Sequence, residues 1–200
     1  MTESYEEKEE PSRSLIAEVL GDIYHSDQIL TKEIGVINDV QCELRYVFPP
    51  FTKTIHPLPH VSSDQMQLAC LEGLYCTIGN AIRQGALKNI PIDYPTFLAN
   101  RHRMALLEER KQYRKELQPN EEATLLFSIQ GYGTKKLRRE FYYVIVSLDG
   151  FIRGEYTCII PADIVTPSPP PRSPLSSPPV AQASESPQIP PSSSTDQKSE

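Results

Sequence analysis

The sequence predicts an α+β domain in which an antiparallel sheet wraps around one long central helix, with an extra helix at the N-terminus. Three observations predict it. Between Met66 and Ile82 apolar residues occupy almost every helical face, so that helix must be covered on most sides. After Pro119-Asn120 three β-rich runs follow one another: ATLLFSIQ, EFYYVIVSL and FIRGEYTCII. Between the last two stands Asp149-Gly150, a signal for a tight hairpin turn.

The first helix follows Pro11-Ser12-Arg13-Ser14. Leu15, Val19 and Ile23 share one face, with Ile16 and Leu20 beside them, and the helix is expected to end around Tyr24. The run EIGVINDVQCELRYVF is β-branched and aromatic but broken by Asn38-Asp39, which predicts two strands or one interrupted strand. Pro49, Pro50, Pro57 and Pro59 then hold an extended loop. Ser62, with Gln65 three residues later, opens the central helix as a capping box, and Gly85 closes it. Residues 97–117, FLANRHRMALLEERKQYRKEL, have a composition that favours helix. Pro161 ends the last strand and the domain.

The chain has 200 residues, a formal charge of −6 and 19 prolines, but these totals belong to its ends. Residues 166–200 contain 10 Pro and 10 Ser, and the first ten residues contain five Glu and one Lys. The expected organisation is a disordered acidic stretch at residues 1–11, one domain at 12–164, and a disordered Pro/Ser-rich tail at 165–200. Within that tail Pro167–Pro174 fits a PxxP ligand pattern and several Ser-Pro sites follow; a plain flexible tail has the same composition.

The body between the ends is nearly neutral, so any anion site must be local, and neither nucleic acid nor an anionic membrane is an expected partner. No run of 18 apolar residues exists, hence no membrane span is expected, and MTESYEEKEE has no secretory character. Cys42, Cys70, Cys76 and Cys158 form no C-x-x-C pair, so neither a metal site nor a cofactor is expected. Free thiols fit a cytoplasmic location.

A long helix followed by an antiparallel meander describes the hotdog fold. The segments IAEVLGDIY, HVSSDQMQLACLEGLY, PIDYPTFLANRHRMALLEERKQYRKELQPNE and the Asp149-Gly150 hairpin with GEYTCI resemble the FcoT-like fatty acyl-CoA thioesterase family, from about Ile16 to Ile160. The resemblance implies a strand over residues 103–117 in spite of their helical composition, closed by a turn at Pro119-Asn120-Glu121. It implies hydrolysis of an acyl thioester of coenzyme A or of an acyl-carrier protein, and a homodimer or higher homo-oligomer with sites shared between subunits. Tyr24, Tyr75 and His60 match positions of the family's substrate site. The family's two helix asparagines are Ser62 and Leu71 here.

Thioester hydrolysis needs a polarised carbonyl and an activated water or nucleophile. Ser62, Ser63 and the amides after them stand at the positive end of the central helix, where they either hold the thioester oxygen or only cap the helix. Glu72 is the only charged residue between Gln65 and Ile82. A buried carboxylate suits a general acid or base, and equally an ion pair. Ser62 and Glu72 are about 15 Å apart along the axis, so one carbonyl meets both only across two subunits. His60 with Glu72 forms the alternative acid–base pair of a dehydratase or hydratase, while a histidine in such a loop is also an ordinary surface residue. A third alternative is an acyl-binding protein without catalysis. Tyr24 and Tyr75 either donate to the acyl carbonyl or pack in the core. The basic runs that include Arg101, Arg110 and Arg114 offer ligands for the phosphates of coenzyme A, or charges that protect a strand edge.

Overall fold

A computed structural model describes residues 10–50, 58–136 and 140–164. The N-terminal residues 1–9, His56, Arg138, Arg139 and the Pro/Ser-rich tail lie outside the described residues. In chain order the elements are α1 (Glu10–Leu20), β1 (Thr31–Asn38), β2 (Gln41–Val47), α2 (Ser63–Arg83), α3 (Tyr94–Asn100), β3 (Ala105–Tyr113), β4 (Glu122–Lys136), β5 (Glu140–Gly150) and β6 (Ile152–Pro161). All six strands join one antiparallel sheet in the order β1-β2-β4-β5-β6-β3, so β1 and β3 are its edges.

Helix α2 is the spine. Ser62 accepts a hydrogen bond from the Gln65 amide and the Gln65 side chain returns one to Ser62, completing the expected capping box. Gly85 follows the helix end at φ +68°, a conformation that suits glycine. One side of α2 lies on the sheet so closely that a Cβ at Gly73 would stand 2.0 Å from the Phe127 ring of β4. On the other side Gly79 faces Val19 of α1 and Phe97 of α3. The apolar faces read from the sequence are therefore covered by the sheet on one side and by two short helices on the other. A second aromatic cluster, Tyr46, Phe48 and Phe151, closes the core beside the sheet.

The interrupted run of residues 33–48 is a hairpin. Asn38 accepts from the Val40 amide at 3.0 Å in an Asx turn, and Asn80 of α2 donates to the Asn38 and Asp39 carbonyls beneath it.

Three expectations are corrected. Helix α1 spans Glu10–Leu20, and Tyr24 closes the following turn by donating its amide to the Leu20 carbonyl rather than ending the helix itself. Residues 97–117 are neither all helix nor a strand from 103. Asp93 caps α3 through the Thr96 amide, and the strand begins only at Ala105 and ends at Tyr113. The Asp149-Gly150 connection is wider than a two-residue turn. The last β5–β6 pair is Leu148 with Gly154, while Asp149 and Gly150 still pair with β4. Gly150, at φ +147°, lies so near the Thr124 carbonyl that no Cβ fits.

Candidate functional site

The residues singled out in the sequence fall into three places. The innermost surrounds the middle of α2. Glu72 is fully buried. Its Oε1 accepts from the Leu30 amide at 3.0 Å, and its Oε2 from the Thr31 amide at 2.9 Å and the Thr31 hydroxyl at 2.6 Å. The carboxylate thus takes up the amide just before β1 and the first amide of β1, and pins the start of that strand to the helix. Burial pushes its pKa above the ordinary value, and the hydrogen bonds from Thr31 and Leu30 oppose that rise.

Tyr75 lies three residues further along the same side of α2. The turn after α1 brings Tyr24 towards it. Both rings are half-buried. The Tyr24 hydroxyl is held above the usual phenol range by burial first, then by Tyr75, Glu72 and Cys76 around it. Burial raises Tyr75 as well, followed by Cys158, against the lowering influence of Arg101. Both hydroxyls therefore carry their protons at neutral pH. Neither makes a hydrogen bond to any described residue, whereas the nearby Tyr46 hydroxyl donates to the Ala69 carbonyl at 2.9 Å.

Tyr75 also borders a small apolar slot between α2 and the start of β3, of about 50 Å³, with Leu71, Leu74, Met104, Leu106 and Cys158. Arg101, expected among the phosphate-binding cations, is 4% exposed instead. It donates to the Val19 carbonyl at 2.6 Å, to the Leu98 carbonyl, and to Asp22 at 3.2 Å, tying α1 to α3.

A second place is an open cleft of about 480 Å³ at the start of α2, where His60, Ser63 and Met66 face Tyr113, Arg114 and Glu116. His60 Nδ1 lies 3.8 Å from Glu116. Ser62, 8% exposed, is occupied by its capping bonds, while Ser63 is on the cleft wall. Within one chain His60 pairs with Glu116 in this cleft and Glu72 with β1, so the two are not brought together.

The third place is a groove of about 700 Å³ on the outer sheet face, lined by Arg110, Arg153, Ser147, Asp149 and Glu155 among others. Arg110 is paired with Glu108 at 2.6 Å and Arg114 with Asp149 at 3.0 Å. Arg153 has no acidic partner among the described residues. The sequence reading missed Arg153, because only the β3–β6 register, which sets Gln112 opposite Arg153, carries it to the β3 side. Among the described residues no cluster of His, Cys, Asp and Glu is arranged to hold a metal ion, and no helix is long and apolar enough to cross a membrane. All four cysteines are buried free thiols.

No family model matches the chain, and no curated protein matches it. Among solved structures it is similar to a sigma28-regulated virulence protein of Campylobacter jejuni (10% identity, 79% of this chain and 94% of that one, TM-score 0.46). It is similar to thioesterase superfamily member 2 of Mus musculus (10% identity, 74% and 92%, TM-score 0.45). A hypothetical thioesterase of Streptococcus pneumoniae with coenzyme A is a further neighbour (9% identity, 64% and 83%, TM-score 0.38).

Proposed function

We propose that this chain is a hotdog-type acyl thioester hydrolase in which the Tyr24 and Tyr75 hydroxyls bind the thioester carbonyl. One observation carries the reading. Two half-buried tyrosines, near enough for Tyr75 to raise the Tyr24 hydroxyl, carry protonated hydroxyls with no described protein acceptor, and Tyr75 lines an apolar slot. Neither oxygen is among the buried side-chain atoms without a partner, so water reaches both until a ligand carbonyl displaces it. Donors held in place before the reaction stabilise the negative charge that develops on a carbonyl oxygen under attack.

In this scheme water attacks the carbonyl carbon and passes a proton to Glu72 or to a second water, the carbonyl oxygen takes the charge between the two tyrosines, and collapse breaks the C–S bond, releasing the acid and a thiolate that takes up that proton. Glu72 is the carboxylate beside them. To serve as the base it must exchange the Thr31 hydroxyl for the attacking water; otherwise it positions β1 and sets the field around Tyr24. His60 and Ser63, in the cleft at the helix start, and the cations Arg110, Arg114 and Arg153 bind the carrier, the arginines taking its phosphates. No observation favours the hydratase reading within one chain, because His60 and Glu72 serve different clefts.

The active form is a homodimer formed along β3. That strand is a sheet edge, and Leu107 on it is 47% exposed. Its two faces each carry one acid and one base two residues apart, Glu108 with Arg110 and Glu109 with Lys111. A two-fold antiparallel pairing centred on Glu109 sets Glu108 opposite Arg110 twice, against one Glu109–Glu109 contact at the centre.

The test is thiol release from a panel of acyl-CoA substrates. Turnover that falls about 100-fold in Tyr75→Phe supports the reading. Absence of turnover on every thioester, or a Tyr24→Phe/Tyr75→Phe double variant as active as the wild type, overturns it.

A further inference from the structure

The slot beside Tyr75 is small and its walls differ in firmness. Leu74 and Cys158 are 2% exposed and form its fixed side. Cys158 is on β6, which is flanked by strands on both sides: it pairs with Val144 of β5 and with Leu106 of β3. A residue held in register by two neighbouring strands does not retreat to deepen a cavity. Leu71, Met104 and Leu106 are only half-buried and form the yielding side. The volume, about 50 Å³, decides what fits. An apolar cavity of roughly 150 Å³ takes a benzene ring, so a third of that takes about two carbons.

The slot also has a polar end. The Tyr75 hydroxyl is near the Cys158 thiol and the Arg101 guanidinium, and it has no described hydrogen-bond partner. Apolar walls closing on one uncommitted donor fit a short hydrocarbon with a carbonyl at its end. A long acyl chain exceeds the roughly 50 Å³ of the slot.

We infer that the slot receives the acyl end of the thioester and restricts it to about two to four carbons, with Leu71 and Met104 setting the limit. This rests on the hydrolase reading for its catalytic form, but the size limit holds for binding alone. It separates the chain from the fatty acyl specificity that the sequence resemblance implies.

Two measurements on the full chain test it. Thiol release is followed with acetyl-, butyryl-, octanoyl-, dodecanoyl- and hexadecanoyl-CoA. Binding of the corresponding S-alkyl-CoA thioethers, which cannot be hydrolysed, is followed by calorimetry. The expected kcat/KM for octanoyl-CoA and longer substrates is at least about 10-fold below that for the better of acetyl and butyryl, since a misfitting methylene in an apolar pocket costs about 10-fold or more. Leu71→Ala and Met104→Ala, each checked for an unchanged circular dichroism spectrum, raise the octanoyl-to-butyryl ratio about 10-fold. Thioether affinities follow the same order. If no thioester is hydrolysed while short thioethers still bind best, the hydrolase reading fails and the size limit stands. Long chains hydrolysed or bound as well as short ones, no thioether binding of any length, or chain-length profiles unmoved in both variants would each overturn the size limit.

Discussion

Around the middle of α2, two kinds of buried polar group lie within a few residues of each other. Glu72 and Arg101 are among the most buried charges of the described residues, and both are fully engaged. Three donors converge on the carboxylate, and three acceptors take the guanidinium. Tyr24 and Tyr75 are less buried, yet their hydroxyls bond to nothing described. Burial alone would rank Glu72 and Arg101 as the functional pair. Partner counting reverses that order: an engaged polar group reports on folding, and an uncommitted one is available to a ligand.

The difference breaks most visibly at Glu72. Glu72→Ala leaves the Leu30 and Thr31 amides and the Thr31 hydroxyl buried without an acceptor, and is expected to cost about 4 kcal/mol in urea unfolding. The pH dependence sharpens the point. Glu72 has a folded pKa raised above its ordinary 4.5, so the folded state holds its proton more tightly than the unfolded chain does. Its contribution is fully present below the unfolded pKa and is lost as pH rises through the folded one. The stability difference between wild type and Glu72→Gln should therefore fall as pH rises from about 4.5, then level off. A difference that is flat across that range, or grows with pH, would show that burial does not dominate the carboxylate.

How far this contrast was legible in the sequence depends on the range of the interactions. The capping box at Ser62–Gln65, the all-round apolar face of α2 and the β-rich runs are local patterns, and each formed where expected. Glu72 was visible as the lone charge of an apolar helix, but its donors are 41 and 42 residues away, at the start of β1. No local pattern encodes that meeting. Arg101 read as one cation of a basic run because its acceptors on α1 are about 80 residues earlier. The FLANRHRMALLEERKQY segment misled for a different reason. Its helical composition and its strand character belong to adjacent pieces, divided after Asn100, and propensity averaged over the whole run hides the boundary. The Asp149-Gly150 turn widened because β4 is long enough to keep pairing with β5 beyond Leu148.

The uncommitted side of the contrast is tested by activity. Tyr75→Phe removes a donor to the charged oxygen of the transition state, and should lower kcat on the best acyl-CoA about 100-fold, or about 2.7 kcal/mol of barrier. Tyr24→Phe should act in the same direction. A loss confined to KM would move the hydroxyls from transition-state stabilisation to ground-state binding.

On the committed side, Thr31→Val is a milder break than the loss of Glu72 itself. It removes one of three donors to the carboxylate while the two amides remain. The expected cost is about 1.5 kcal/mol by urea unfolding, with the Glu72 pKa moving further up as one of its lowering contacts disappears. Little change in activity should accompany it, unless Glu72 works as the base by trading the Thr31 hydroxyl for water. In that case Thr31→Ala, which opens the position to water, should raise the rate, whereas the valine methyl fills it.

The smallest expected effect is the sharpest discriminator. Tyr24→Phe and Tyr75→Phe keep the ring and delete only an oxygen that bonds to no described residue. Each should change unfolding free energy by less than about 0.5 kcal/mol, because no hydrogen bond is lost and apolar contact is retained. A hydroxyl engaged in folding would cost about 1 kcal/mol or more on removal. If either variant loses that much, its hydroxyl belongs with Glu72 and Arg101 among the structural groups, and a fall in its turnover would report on a damaged fold instead of a missing donor. Stability and activity must be measured on the same preparations, since only an unchanged melt beside a large loss of kcat assigns the hydroxyl to the substrate.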